Sequence, residues 1–243
     1  KGAQGSSVMK LFELTAASTG LSERAAREAG YAAESALLFS PDHATYYPGA
    51  KNMTLKVVFD RTDSRILGAQ AVGFGGTEKR IDVLATAIRA GFTAEELTEL
   101  DLCYAPPYSS AKDPVNMAGY VIGNILRGTV RQHTWKDVEK LADDENALFL
   151  DVQTRGEYDA AHLAGAVNIP VDELRGRMNE LDKSKTVYVN CYSGLRSYIA
   201  CRMLSANGFK CSNLAGGIRF YKVVAEGGAY DEVPRHLCGA VSK

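Results

Sequence analysis

The sequence has no apolar run of the roughly 18 residues that a membrane-crossing helix needs, and no signal-peptide pattern is visible at its start. It lacks an excess of either charge. Lysine and arginine number 28 against 29 acidic residues, a net charge of -1, which argues against a general binder of polyanions such as nucleic acid. It lacks a cysteine framework. The five cysteines are an odd number with no Cys-x-x-Cys pair, so neither a disulfide scaffold nor a zinc site is expected, and a reducing, cytoplasmic compartment is. It also lacks any Gly-x-Gly-x-x-Gly phosphate loop, so no dinucleotide cradle is expected from these residues. Internal repeats and low-complexity tracts are missing as well.

What is there suffices for two ordinary domains: 243 residues, 46% of them hydrophobic. The chain opens at Lys1 with "KGAQGSS" rather than Met, which reads as a piece of a longer protein. The best boundary lies near "LRGTVRQHTWKDVEKL". Val115, Ala118, Val121, Ile122, Ile125 and Leu126 fit one face of a helix over 114–127, and Gly128 suits its C-terminal cap. A new helix opens at Thr134, where Thr134 and Asp137 have capping-box spacing.

Before that boundary the order reads strand, strand, strand, helix, helix. "MTLKVVFD" and "RILGAQAVGF" flank the turn-like "RTDS" and should pair as a hairpin. The helix "EKRIDVLATAIRAG" follows, ending at Gly91, and Thr93 with Glu96 opens a short one. Sheet first and helices after imply an α+β layer. Past the boundary, helices near 134–142, 171–181, 197–207 and 218–226 alternate with the strands "ALFLDV", "TVYVN" and "CSNL". That alternation predicts a mainly parallel sheet covered on both faces.

One loop carries chemistry. "NCYSGLRS", residues 190–197, sits between the strand "TVYVN" and a helix. A strand-loop-helix turn aims successive backbone N–H groups inward as an anion nest, and the helix adds its positive end. Gly194 permits the tight turn, and Arg196 brings a permanent charge on a planar fork. Such a setting favours the thiolate of Cys191, the nucleophilic form, and suits a persulfide on it. Cys103 and Cys201 fall in segments that read as packing, Cys211 opens a strand, and Cys238 lies in the tail.

The loop resembles the active-site loop of the rhodanese, or sulfurtransferase, family. "LFLDVQTRGEYDAAHLAGAVNIP" is similar to that family's upstream signature and "NLAGGI" to its downstream one, so the resemblance covers about 131–230. Gln153 and Arg155 stand where the family usually has Arg and Pro. An Asp151–Arg155 buried pair is expected, and a structural rather than catalytic His162. The resemblance implies covalent sulfur transfer, with Cys191 as nucleophile, Arg196 as its anion partner, and Tyr192, Ser193, Gly194, Leu195 and Ser197 as the persulfide loop. A phosphatase relative uses a loop longer by one residue.

"HATYYPGA", "LCYAPPYSSAKDPVN" and "GTEKRIDVLATAI" resemble the dimerisation domain of the coenzyme A-disulfide reductase and NADH oxidase branch of the flavin-dependent disulfide reductases, a domain also found fused to a rhodanese domain. "KGAQGSSVMKLFELTAASTGL" resembles the end of that family's flavin domain. The expected organisation is a flavin-domain remnant over 1–20, an α+β dimerisation domain over 21–129 and an α/β rhodanese-like domain over 131–243. The resemblance implies a homodimer in which Tyr46 and Tyr104 reach a partner subunit's reductase site, Tyr47 and Tyr108 being their competitors. Lys79 and Arg80 are expected at a solvated helix end, with coenzyme A phosphates as the alternative. FAD, NAD(P)H and coenzyme A belong to the parent reductase, none of them bound by this stretch. The expected ligands of the stretch itself are small sulfane-sulfur donors and thiol acceptors. The alternative reading is a parent that mainly reduces coenzyme A disulfide, with the rhodanese domain as an interaction module.

Overall fold

The computed structural model describes residues 2–227 and divides into two compact units that part after Leu126. Cys238 lies outside the described residues.

The first unit is built on five antiparallel strands. β1 (Ser7–Leu11) and β2 (Leu14–Gly20) form a hairpin, α1 (Glu23–Glu28) follows, and then come β3 (Ala33–Pro41), β4 (Asn52–Asp60) and β5 (Ile66–Gly73), in the spatial order β1-β2-β5-β4-β3. The expected β4–β5 hairpin is present, with Met53 opposite Gly73 and Phe59 opposite Ile66. The strands β1 and β2 and the short α1 were not foreseen. β2 pairs with β5 from Thr15–Gly73 to Gly20–Gly68, so the segment read as a flavin-domain remnant extends this sheet by hydrogen bonding.

One sheet face is covered by helices. α2 (Thr77–Ala90) buries Ile81, Leu84 and Ala87, a helical stripe, and stops where Gly91 takes a left-handed φ of 81°. α3 (Ala94–Glu99) starts with the Thr93–Glu96 capping box, and α4 (Pro114–Leu126) brings Val115, Ala118, Ile122 and Ile125 onto Met53, Leu55, Val57 and Phe59. On the other face, Ala26 of α1 packs with Ala33, Val58 and Leu67.

The second unit is a five-stranded sheet in which every pairing is parallel: β6 (Gln132–His133), β7 (Ala147–Asp151), β8 (Val167–Asn168), β9 (Thr186–Asn190) and β10 (Lys210–Leu214), in the order β6-β10-β9-β7-β8. Val187 and Val189 of β9 point to one face and share a core with Leu174, Ala200, Cys201 and Leu204. These last four come from α7 (Leu174–Arg177), which runs into a 3-10 turn, and α8 (Leu195–Ala206). The opposite core joins Val138 of α5 (Trp135–Ala142) and Ile218 of α9 (Gly217–Ala225) to Leu163, Ala166 and Leu214. Cover on both faces is what a parallel sheet requires. Three elements were not foreseen: the two-residue strands β6 and β8, and α6 (Arg155–Ala160). All are too short to show a hydrophobic period.

Among the described residues no helix is long and apolar enough to cross a membrane, and no group of three or more His, Cys, Asp or Glu is placed to hold a metal ion.

Candidate active site

In the second unit the chemistry-bearing loop stands at the C-terminal edge of the parallel sheet, where open α/β sheets place their ligand sites. β9 ends at Asn190, and Cys191 follows directly. Gly194 turns the chain at φ 99° and α8 begins. Cys191 is 1% exposed. Its sulfur accepts a hydrogen bond from the Gly194 amide at 3.2 Å and one from the Ser197 hydroxyl at 3.3 Å. The Arg196 guanidinium interacts with it electrostatically. Gly194 and Ser197 thus meet at one sulfur, while Tyr192 and Ser193 are half-buried and Leu195 is exposed.

The "NLAGGI" stretch holds this loop from behind. The amides of Ile218 and Arg219 donate to the carbonyls of Cys191 and Tyr192 at 2.9 and 3.0 Å. Gly217 has a φ of +62°, and a Cβ there would stand 2.3 Å from the Cys191 carbonyl oxygen. Only glycine fits so close a backbone approach.

Glu157 is the site residue that reading the sequence left unassigned. It closes a capping box on α6: its carboxylate accepts from the Thr154 amide at 3.0 Å and the Thr154 hydroxyl at 2.8 Å. The same carboxylate takes both arms of the Arg196 fork, at 2.7 and 2.9 Å. Burial pushes the Glu157 carboxyl up, but the Arg196 and Thr154 hydrogen bonds outweigh it and hold it below the usual range. Arg196 is thus held by a carboxylate beside the cysteine sulfur. The Thr154-x-x-Glu157 spacing was the available signal; the partner, 39 residues on, was not.

Asp151 does not pair with Arg155. Its carboxylate accepts from the Gln153 amide at 2.8 Å, the Gln153 side chain at 3.1 Å and Asn190 at 2.7 Å. Arg155 points to solvent and meets Asp159 one helical turn away, at 3.2 Å. The reason lies in the backbone: Thr154 caps α6 and Arg155 starts it, which turns the arginine outward. Burial raises the Asp151 carboxyl, against the pull of these neutral donors and of Arg196. Exposed His162 hydrogen-bonds the Tyr158 carbonyl through Nδ1 at 2.8 Å and stacks on the Tyr158 ring at 4.0 Å, a packing arrangement.

The first unit carries a second cluster. Tyr46 and Tyr104, 58 residues apart, share a hydroxyl–hydroxyl hydrogen bond of 2.7 Å, and both rings are exposed. The bond to Tyr104 raises Tyr46 above the ordinary phenol range. Tyr47 and Tyr108 are exposed beside them in sequence, with Tyr47 edge-on to His43 at 6.0 Å. Arg80 is not at a solvated helix end. It is 1% exposed and binds the Asp113 carboxylate at 2.9 Å, the Asp42 carbonyl at 2.8 Å, the Gly76 carbonyl at 3.2 Å and Ser109 at 3.4 Å. Asp42 precedes the loop of Tyr46, and Ser109 closes that of Tyr104 and Tyr108. One buried guanidinium therefore clamps both tyrosine loops. Lys79 stays partly exposed.

The first unit is thus an antiparallel sheet with a helical cover and the second a parallel sheet ending in a cysteine loop. Residues 6–114 match the pyridine nucleotide-disulphide oxidoreductase dimerisation domain and residues 134–222 the rhodanese-like domain, and the chain carries both in that order. It is 45% identical over 120 residues to the coenzyme A disulfide reductase of Staphylococcus haemolyticus, a match that covers 49% of this chain and 27% of that protein. Among solved structures it is similar to reduced Bacillus anthracis CoADR-RHD, at 40% identity and a TM-score of 0.90, over 96% of this chain and 41% of the other. A NAD-dependent persulfide reductase from A. fulgidus is also 40% identical, with a TM-score of 0.80, over 89% of this chain and 39% of its own. The chain thus spans well under half the length of these relatives.

Proposed function

We propose that the second domain is a sulfurtransferase working through a Cys191 persulfide. The observation that carries this reading is the pair of hydrogen bonds that the Gly194 amide and the Ser197 hydroxyl donate to the Cys191 sulfur, beside the positive charge of Arg196. These donors are set for a negative sulfur before any donor arrives, so the thiolate and the anionic persulfide need little reorganisation. The Cys191 thiolate attacks the outer sulfur of thiosulfate; a sulfur–sulfur bond forms, the bond within thiosulfate breaks, and sulfite leaves with the electron pair. An acceptor thiolate or cyanide then takes the outer sulfur, and the Cys191 thiolate departs. Cys191 is almost fully buried, which suits donors that present a terminal sulfur.

The first domain, on this reading, pairs two copies of the chain and presents Tyr46 and Tyr104 to the reductase site of a partner subunit. A phenol there serves as a proton or hydrogen-bond donor to a leaving thiolate. The sulfur carried by Cys191 passes, through coenzyme A or another small thiol, to that flavin- and NAD(P)H-dependent site. The first sheet is antiparallel throughout and the sequence has no glycine phosphate loop, so flavin chemistry belongs to the parent reductase.

The test is thiocyanate formation from thiosulfate and cyanide, with intact-mass and peptide analysis of the donor-treated protein and light scattering for its mass. One sulfur added at Cys191, turnover abolished in Cys191→Ser and a dimeric mass are expected. A folded sample that gains sulfur at Cys103 instead, or turns over no sulfane donor, overturns the sulfurtransferase reading; a monomer overturns the pairing.

A further inference from the structure

The second domain holds a second pair of thiols that the loop chemistry leaves unused. Cys201 lies on α8 and Cys211 on β10, the strand beside β9 in the sheet. Both are free thiols. The Cys211 sulfur donates to the Cys201 backbone carbonyl at 3.3 Å, which sets the Cys211 thiol against Cys201 of α8. Their surroundings differ. Cys201 is 1% exposed and packs in the same core as Cys191, whereas Cys211 is only half-buried.

We infer that Cys211 and Cys201 form a sulfane-sulfur-responsive dithiol, in which Cys211 accepts sulfur and Cys201 resolves it into an intrachain disulfide. The asymmetry assigns the roles. The hydrogen bond from the Cys201 thiol pulls Cys211 below the ordinary thiol range in spite of burial, with the Ser205 amide and the charge of Arg131 adding to it. Contact with Cys211, then burial, holds Cys201 well above that range. An accessible thiol that ionises readily, next to one that does not, is the arrangement of an attacking and a resolving cysteine.

The steps balance. The Cys211 thiolate attacks a sulfane sulfur of a polysulfide, forms a sulfur–sulfur bond and expels the shortened polysulfide anion, leaving Cys211 persulfide. The Cys201 thiol then attacks the inner sulfur, the Cys201–Cys211 bond forms, and the outer sulfur leaves with two hydrogens as hydrogen sulfide. Two thiols are oxidised and one sulfane sulfur is reduced; two equivalents of a small thiol reverse the reaction. The bond ties β10 to α8, the helix whose first turn belongs to the Cys191 loop. A surplus of sulfane sulfur is thereby recorded in the scaffold of the domain that handles it.

The pair's chemistry does not depend on Cys191, so the test is run on the reduced chain and on its Cys191→Ser variant, anaerobically, with sodium tetrasulfide as the probe. Samples are quenched with iodoacetamide and mapped by peptide mass spectrometry. A Cys201–Cys211 disulfide, two hydrogens lighter than the dithiol, is expected in both proteins, together with released hydrogen sulfide. In Cys201→Ser the reaction should stop at a Cys211 persulfide, and in Cys211→Ser it should leave Cys201 alkylated and unmodified by sulfur. Recovery of both cysteines as alkylated free thiols, or a bond from Cys201 to Cys191 instead, overturns the inference. Loss of thiosulfate turnover at Cys191 with the disulfide still forming would strike only at the sulfurtransferase reading.

Discussion

Glu157 grips Arg196 with both carboxylate oxygens, at 2.7 and 2.9 Å, while the same guanidinium interacts electrostatically with the Cys191 sulfur. The charge that faces the nucleophile is therefore already balanced, and the fork is aimed by a residue from a different strand–helix unit. Arg196→Ala removes the positive charge beside the sulfur and strands a mostly buried carboxylate. It should slow Cys191 alkylation at fixed pH and destabilise the domain by about 3 kcal/mol. Arg196→Lys should recover part of the alkylation rate, since charge remains but the two-armed contact does not. Glu157→Gln, which leaves the Arg196 charge unbalanced, should speed alkylation while lowering stability. Equal rates in all four proteins would show that the guanidinium does not act on the sulfur.

Gly217 and Gly208 make a matched pair. Both have left-handed φ, +62° and +80°, but a Cβ at Gly208 meets nothing within 4 Å, while one at Gly217 runs into the backbone of the cysteine loop. Gly208→Ala should cost only the left-handed penalty, about 1 kcal/mol. Gly217→Ala should cost more, about 3 kcal/mol, and should also lower sulfur uptake by Cys191 in the fraction that folds. Urea unfolding and intact-mass labelling separate the two effects. Equal losses from both substitutions would mean that the Gly217 contact does not shape the loop.

His133 sets an acid limit on the second domain. It is buried on β6, hydrogen-bonded through Nδ1 to Ser212 at 3.1 Å and edge-on to Tyr188 at 5.1 Å. Burial lowers it to about 4, against the weaker pull of Asp137. The folded state keeps the ring neutral while the unfolded chain protonates it near its ordinary value, so stability is full above about 6.5. It is lost as pH falls from there to about 4, by up to about 3 kcal/mol. In His133→Gln that part of the acid slope should vanish, as read by urea midpoints at a series of pH values. An unchanged slope would place the acid sensitivity on the carboxylates instead.

Arg80 should matter to both tyrosine loops at once. Arg80→Met leaves the buried Asp113 carboxylate without its partner, a loss of about 3–5 kcal/mol. Arg80→Lys keeps charge near Asp113 but cannot also reach the Asp42 and Gly76 carbonyls and Ser109. Its expected signature is a folded domain whose Tyr46 resonance titrates closer to the ordinary phenol value, because the Tyr46–Tyr104 bond is loosened. Tyr104→Phe should produce the same downward shift in Tyr46 without loss of stability. Labelled-tyrosine NMR over alkaline pH reads both, and a Tyr46 titration unmoved in Tyr104→Phe would deny the pairing.

Sequence patterns by themselves determined the elements whose periods and caps are local: α2 with its Ile81–Leu84–Ala87 stripe, the Thr93–Glu96 and Thr134–Asp137 boxes, the β4–β5 hairpin, and the alternation that makes the second sheet parallel. They also placed Cys191, Gly194, Arg196 and Ser197 together, because a four-residue turn from a strand into the first turn of a helix has few ways to run. What only the tertiary structure decided is every contact made across the fold. Glu157 meets Arg196 because α6 and α8 begin at the same sheet edge. Gly217 meets the Cys191 carbonyl because β10 lies beside β9. Arg80, legible as one more charge on a helix, is buried because two distant loops bring it a carboxylate and carbonyls. Asp151 takes Gln153 and Asn190 as partners, and Arg155 is turned to solvent by the start of α6. Burial and pairing of charges depend on which distant segments pack together, and no residue spacing along the chain encodes that directly.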